Sequence, residues 1–213
     1  MFELFSPNML KTFEMCPIKF NFRYIKGINM PVDNEIFETG KNVHALASYY
    51  LRKENISSLE KSLSKYEMLL WNNLKNVAYF QYLTLKTEYN LSVKIQNKFF
   101  GGRIDALVLN ENCYYILDYK TGALPKSPTY DYQTMVYMLC VSTLYNTDNV
   151  KFVYLDVKNN QECVITLNPD LITEYKQRLI DVADKIEKLD LCAGKCGCKS
   201  CEYRKICYEK ILN

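Results

Sequence analysis

The sequence predicts an α/β protein in which helices pack a sheet, and three observations carry that prediction. Apolar residues recur at helical spacing through the first third of the 213-residue chain. Between residues 88 and 119 they alternate with the period of half-buried strands. With 7 Gly and 6 Pro, the chain has little material for elaborate loops and favours long regular elements. The order helices, strands, helix, strands, helix then gives a sheet covered by helices.

Taken in order, Leu4 to Ile25 reads as helix broken at Cys16-Pro17, with a second helix starting at Pro17, where a missing N–H does no harm. Asn34 to Asn55 carries Ile36, Phe37, Val43, Leu46, Ala47 and Tyr50 on a helical face, and Leu59 to Lys86 reads as one long amphipathic helix. Tyr89, Leu91, Val93 and Ile95 alternate over the strand Glu88 to Ile95. Two further strands, Lys98 to Leu109 and Tyr114 to Tyr119, follow turns at Asn97 and at Asn110-Glu111-Asn112, making an antiparallel meander. Tyr130 to Tyr145 returns to helical spacing. Val150 to Val157 and Glu162 to Leu167 form another strand pair across Asn159-Asn160, and Leu171 to Leu191 closes the fold ahead of a cysteine-rich tail.

Composition narrows the function. Hydrophobic residues at 48% and charged residues at 24% exclude a disordered or collagen-like chain. No run of eighteen uncharged apolar residues exists for a membrane span. The opening Met1-Phe2-Glu3-Leu4 lacks a basic region followed by an apolar run, so the expected location is the cytoplasm. A net charge of +3 is too small to indicate a nucleic-acid partner. The 18 Tyr either fill the core or offer stacking surfaces with a polar tip.

Nine cysteines in a reducing compartment are not expected to pair as disulfides. Cys113, Cys140 and Cys163 sit singly in apolar runs and read as small buried hydrophobes. Cys192, Cys196, Cys198, Cys201 and Cys207 crowd the C-terminus, as thiols holding a metal or cluster do, while Cys16 stands far away beside Pro17.

The main chemical signal is Gly101-Gly102-Arg103-Ile104-Asp105 followed by Ile116-Leu117-Asp118-Tyr119-Lys120-Thr121-Gly122. A hairpin between these strands brings Asp105 and Asp118 together at one end of the sheet. Paired carboxylates attract a hard divalent cation such as Mg²⁺ or Mn²⁺. Lys120, two residues beyond Asp118, points to the same face, where an ammonium can orient water and offset charge on a phosphate. On a solvated edge the same residues would form an ordinary ion pair; here they end the apolar run Tyr115-Ile116-Leu117.

These residues resemble the catalytic core of the PD-(D/E)XK nucleases, in the RecB-like exonuclease branch. The opening segment Ser6 to Tyr24, with Leu10, Phe13, Cys16-Pro17 and Phe20, the Gly40 to His44 segment, and Tyr132-Gln133 through Tyr137 resemble further segments of that branch in the same order. The resemblance runs from Ser6 to Cys207. It implies a PD-(D/E)XK core, a central mixed sheet flanked by helices, with a helical N-terminal region and a cluster-binding C-terminal tail. It implies that His44, Asp105 and Asp118 bind the catalytic metal together with the Tyr119 carbonyl, that Lys120 is the catalytic lysine, and that Gln133 and Tyr137 support the site or touch DNA. Glu88, opening the first strand, is a further metal candidate or an exposed strand end.

Cys198-Lys-Ser-Cys201, five residues, then Cys207, together with Cys16, resemble the ligand arrangement of the iron–sulfur nucleases of this branch, among them the AddB nuclease domain and the CRISPR-associated RecB-like nucleases. The resemblance implies a [4Fe-4S] cluster, with Cys196 or Cys192 as a substitute ligand and Cys₄ zinc as the chemical alternative. Such a clip closes nearly the whole chain and contributes several kcal/mol, on the order of a long-loop crosslink.

The implied organisation is a single nuclease domain over residues 1–213. Residues 1–87 make its helical region, residues 88–167 the catalytic sheet and helix, and residues 168–213 the closing helix and tail. The implied activity is a Mg²⁺- or Mn²⁺-dependent DNA exonuclease acting on single-stranded ends. A CRISPR-adaptation nuclease trimming DNA before spacer integration and a non-catalytic DNA-binding module are the alternatives. Lys11, Lys19, Arg23, Lys26, Lys199, Arg204 and Lys205 are candidate phosphate contacts. No helicase motif of the Gly-Lys-Thr type is present, so unwinding calls for a helicase partner chain, and spacer integration for an integrase partner.

Overall fold

A computed structural model describes residues 2–31, 34–189 and 201–211. Helix α1 (Pro7–Met15) starts where the Ser6 hydroxyl accepts the Met9 N–H at 3.3 Å. It stops at Cys16, held extended (φ −164°, ψ 105°) as a residue before proline must be. The Cys16 Sγ then caps α2 (Pro17–Phe20) by accepting the Lys19 N–H, and a π-helical turn over Asn21–Ile25 follows. The expected break at Cys16-Pro17 is therefore present.

Helix α3 (Asn34–Leu51) comes next. The long helix expected over Leu59 to Lys86 is not formed. Instead the chain makes α4 (Ser57–Ser62), α5 (Lys65–Lys75) and a 3₁₀ turn (Ala78–Gln81), and is extended from Leu83. Ser64 and Glu67 form a reciprocal capping box that starts α5 afresh. At the other end, pairing of Leu83 with Leu109 and Thr84 with Val108 draws the last residues of the apolar run into the sheet. Helical periodicity is a local signal, and here tertiary strand pairing overrides it.

The sheet has five strands in sequence order: β1 (Leu83–Ile95), β2 (Lys98–Asn110), β3 (Cys113–Lys120), β4 (Val150–Asp156) and β5 (Gln161–Thr166). The first three form the expected antiparallel meander. Its β2–β3 turn places Glu111 and Asn112 both at positive φ (47° and 65°), the twist-compatible hairpin geometry. β3 and β4 are parallel, linked across the sheet by α6 (Tyr132–Tyr145), and β4–β5 is antiparallel. The result is an α/β fold with a mixed sheet flanked by helices.

Each face of the sheet carries its own core. On one, Leu91, Phe100 and Ile116 pack with Leu10 and Phe13 of α1, with α6, and with α7 (Pro169–Glu187). On the other, Val108, Leu117 and Val153 pack under Val43 and Leu46 of α3 and Trp71 and Leu74 of α5. α6 is apolar nearly all round because it lies inside the first core. The closing helix α7 ends at Glu187, short of the expected Leu191, and residues 190–200 lie outside the described residues. Buried Lys98 pairs with Asp184 at 3.1 Å and with Glu187, tying β2 to that helix. A last helix, α8, spans Arg204–Ile211. Among the described residues no helix is long and apolar enough to cross a membrane.

Glu67 also accepts from the Asn42 amide of α3 at 2.7 Å, so the capping box holds α3 and α5 together. Ser64→Ala should cost about 1 kcal/mol and lower the melting temperature by about 2–4 °C. Thermal unfolding followed by circular dichroism checks this, and an unchanged midpoint would contradict it.

Candidate metal-dependent active site

The site forms where β2 and β3 part. Their ladder ends at the pair Ala106–Leu117. Two residues further, the N–H and C=O of Tyr119 have side chains as partners in place of a β2 ladder pair. The Asp105 Oδ2 accepts the Tyr119 N–H at 2.8 Å, and the Tyr119 carbonyl lies 2.9 Å from His44 Nε2. His44 Nδ1 is 3.2 Å from Asp105 Oδ1, closing the triangle. Gly40, one helical turn before His44, lets α3 come close to the chain after β3, since a Cβ there would meet Thr121 Oγ1 at 3.3 Å.

Glu88 joins this group. It lies inside β1 rather than at its opening, with a left-handed φ of 47° in an otherwise extended strand. Such irregularities re-aim side chains. The ligand atoms of His44, Glu88 and Asp105 lie within 4.8 Å of one another, and Arg103 Nε contacts Glu88 at 3.0 Å. The sequence marks Glu88 only as an open question, because alternation along β1 does not reveal a residue whose backbone departs from it.

Asp118 and Lys120 flank Tyr119 and point to the opposite face, toward α6. Lys120 Nζ lies 2.6 Å from Asp118 Oδ2 and donates to Gln133 Oε1 at 2.8 Å, while Gln133 Nε2 donates to Asp118 Oδ1 at 3.1 Å. One amide thus bridges both charges. Gln133 is placed by the N-cap of α6, where Asp131 accepts its N–H. Tyr137, one turn on, lies over β2 at Gly102, where a Cβ would stand 2.7 Å from its hydroxyl.

The electrostatics follow from burial. Asp118 is pushed up to about 6, first by desolvation and then by the charge of Asp105, against the pull of Lys120. Glu88 is raised for the same two reasons. For His44, burial acts to depress the imidazole, and the Asp105 hydrogen bond and charge, the Asp118 charge and the Tyr119 carbonyl outweigh it, leaving a net upward shift. Asp118 Oδ2 has the Lys120 ammonium at 2.6 Å as its close partner, and Oδ1 has the Gln133 amide. Crowded carboxylates with spare lone pairs, an imidazole and a free carbonyl direction form the oxygen- and nitrogen-rich donor set that suits a divalent cation.

The cysteines divide. Cys113 and Cys140 are buried as expected, and Cys163 is half-buried. Cys16 lies three residues before Lys19, which pairs with Glu202 at 2.9 Å, next to Cys201. Tyr203 stacks on Phe22 with ring centroids 5.6 Å apart, and its hydroxyl donates to the Ile28 carbonyl at 2.7 Å. The segment bearing Cys201 and Cys207 is thus docked on the segment that follows Cys16. Cys192, Cys196 and Cys198, and Lys199 with them, lie outside the described residues.

Comparison with known proteins gives three findings. Residues 4–208 match the family model of the PD-(D/E)XK nuclease superfamily. The chain is 25% identical over 126 residues to the CRISPR-associated exonuclease Cas4 of Francisella tularensis subsp. novicida (strain U112), a match covering 57% of this chain and 63% of that protein. The match thus spans a little under two thirds of that relative's length. A crystal structure from Eubacterium rectale, provisionally designated an exonuclease, superposes with a TM-score of 0.62 over 96% of this chain and 88% of that one. At 11% identity that likeness is one of fold.

Because Asp118 holds its proton more tightly in the folded protein than in the unfolded chain, the native state binds more protons between 3.8 and about 6. Its contribution to stability is therefore fully present below that interval and is lost as pH rises through it. In metal-free protein at pH 7, Asp118→Asn should raise the melting temperature by several degrees, at about 2–4 °C per kcal/mol for a chain of this size. The advantage should disappear near pH 4. Calorimetry of both proteins at the two pH values tests the sign, and a lower melting temperature for the variant at pH 7 would refute it.

Proposed function

Because the chain belongs to the PD-(D/E)XK nuclease superfamily, we propose that it is a metal-dependent deoxyribonuclease of the RecB-like exonuclease type, acting on single-stranded DNA ends. The observation that carries this reading is the convergence, at one end of the sheet, of His44, Glu88, Asp105 and the Tyr119 carbonyl on one side and the Asp118–Lys120–Gln133 cluster on the other. Mg²⁺ or Mn²⁺ would be held by His44, Asp105, Asp118 and the Tyr119 carbonyl, with Glu88 as an added carboxylate. When bound, it supplies Lewis-acid activation of water and neutralises phosphate charge.

The side chains divide the remaining work. Lys120, with its ammonium balanced by Asp118 and aimed by Gln133, orients the attacking water and offsets the negative charge that develops on the phosphate. Gln133 is a positioning residue, since it fixes Lys120 and Asp118 relative to each other, and Tyr137 supports it from the next turn. Asp105 and His44 hold the Tyr119 peptide so that its carbonyl stays turned into the site. Retention of all these groups weighs against a non-catalytic DNA-binding module.

The wider reading treats residues 1–213 as one nuclease domain, in the cytoplasm, with Cys16, Cys198, Cys201 and Cys207 as ligands of a [4Fe-4S] cluster. Docking of the Cys201 segment onto the Cys16 segment supports that ligand set. A second reading, a nuclease of CRISPR adaptation that trims DNA before spacer integration beside an integrase partner, is favoured by the likeness to a CRISPR-associated exonuclease.

The deciding assay uses linear single-stranded DNA labelled at each end, and a circular single strand, under anaerobic conditions with Mg²⁺ or Mn²⁺. Wild type should degrade only the linear strand, and Lys120→Ala should be slower by about 10²–10⁴-fold. Equal rates for the two proteins would remove Lys120 from the mechanism, and cutting of the circle would replace exonuclease with endonuclease action. Cys201→Ser should lose visible absorption and melt at lower temperature, while unchanged colour would exclude Cys201 as a ligand.

A further inference from the structure

One cavity adjoins the cluster of His44, Glu88 and Asp105, and a second shares a wall residue with the first. The first, about 670 Å³, is walled by Lys41, His44, Tyr49 and Arg52 of α3 and its end, with Glu88 and Asp105 opposite. The second, about 1240 Å³, runs between the chain after α3 (52–57) and the start of β1 (83–87). Arg52 lines both. Arg52 thus stands at the junction of a hollow over the site and a second that is larger than the roughly 300–1,000 Å³ of a small-molecule pocket.

The groove owes its shape to β1. The left-handed Glu88 and the register shift between Thr84 and Lys86 interrupt the strand where it passes the site. Arg52 stands 4.8 Å over the ring of Tyr49, a tyrosine 37% exposed. Lys53 is exposed at a left-handed position (φ 60°) of the same wall, and exposed Lys86 lines the wall across from it on β1, its ammonium resting 4.8 Å over the exposed ring of Tyr89. Glu54 is the acidic residue of the larger cavity's wall and pairs with Arg52 at 2.8 Å. That pair is exposed on both sides, hence weak and readily exchanged for another anion. Lys11 and Lys19, by contrast, are held by Asp131 and Glu202.

We propose that this groove is the track of a single nucleic-acid strand entering or leaving the metal site, with Arg52, Lys53 and Lys86 on its phosphates and the Tyr49 ring offered to a base. A cationic groove beside exposed aromatic rings is the arrangement that binds single strands without reading sequence. The proposal rests on the nuclease reading above and extends it to residues outside the catalytic cluster.

The test is binding of fluorescein-labelled oligothymidylates to the full-length protein, by anisotropy over a salt series without divalent cation. Arg52→Gln/Lys53→Gln/Lys86→Gln is compared with Lys158→Gln/Lys176→Gln/Lys188→Gln, which makes the same charge change at exposed lysines elsewhere. Removing three phosphate contacts should flatten the slope of log K against log salt by about 2 and weaken binding roughly tenfold or more. The control should keep the wild-type slope. Arg52→Gln alone should show about a third of the slope change, which covers a triple variant that fails to fold. Equal slopes and affinities for the groove and control variants would overturn the proposal. Hydrolysis of bis(p-nitrophenyl) phosphate with Mn²⁺ by wild type reports the metal site separately. Groove-dependent binding without hydrolysis would sink the nuclease reading and leave the groove as a strand-binding surface; hydrolysis with groove-independent binding would do the reverse.

Discussion

The peptide of Tyr119 is the point on which the site depends. In a continued ladder its N–H and C=O would pair with β2. Instead the ladder stops at Ala106–Leu117, and Asp105 takes the N–H while His44 meets the carbonyl. A buried backbone group left unpaired would be costly, so the side chains are bound into position by the same requirement that builds the sheet. This one substitution of side chain for strand links β2, β3 and α3. It also sets what lies on either side, because residues adjacent to Tyr119 along the strand face the other way. Asp118 and Lys120 therefore meet Gln133 of α6, and the parting of two strands delivers two charged clusters to opposite faces of one chain segment.

Holding these groups together works against stability. Asp118 is desolvated near Asp105, Glu88 is raised by burial and then by the same neighbour, and the buried Tyr119 hydroxyl has no hydrogen-bond partner among the described residues. Sites of this kind break local rules that the rest of the fold obeys. The two apolar cores on the faces of the sheet, built around α6 on one side and Trp71 on the other, supply the burial that offsets them. The C-terminal segment adds a further restraint, since Tyr203 and Glu202 fasten it to Phe22, Ile28 and Lys19 near the other end of the chain.

Much of the fold is legible in the chain. Alternation marks the meander, the positive-φ turn residues mark its hairpins, and the Cys16-Pro17 break appears where proline sterics put it. Leu59 to Lys86 reads wrongly as one helix because Leu83 and Leu85 continue a helical spacing, and only the pairing of Leu83 with Leu109 and of Lys86 with Leu107, on either side of the register shift at Leu85, makes this stretch strand. At the site, Asp105, Asp118, Lys120, His44 and Gln133 all stand in recognisable segments. Glu88 does not, because its position follows from one left-handed residue in the middle of β1. The charged residues of the opening helices stand out in the sequence, whereas Arg52, Lys53 and Lys86 do not, being spread over two elements with nothing local to connect them.

By itself, then, the sequence determined the class of the fold, the coarse succession of helices, strands, helix, strands and helix, and which side chains of the central strands and helices carry charge into an apolar setting. Those properties are local: they follow from periodicity, from turn chemistry, and from charges that end buried runs. Tertiary structure alone decided where β2 leaves β3, that Glu88 turns toward His44 and Asp105, and that Arg52 stands between two cavities. These depend on distances between residues remote in the chain, which are set by packing across the whole molecule rather than by any neighbouring residues.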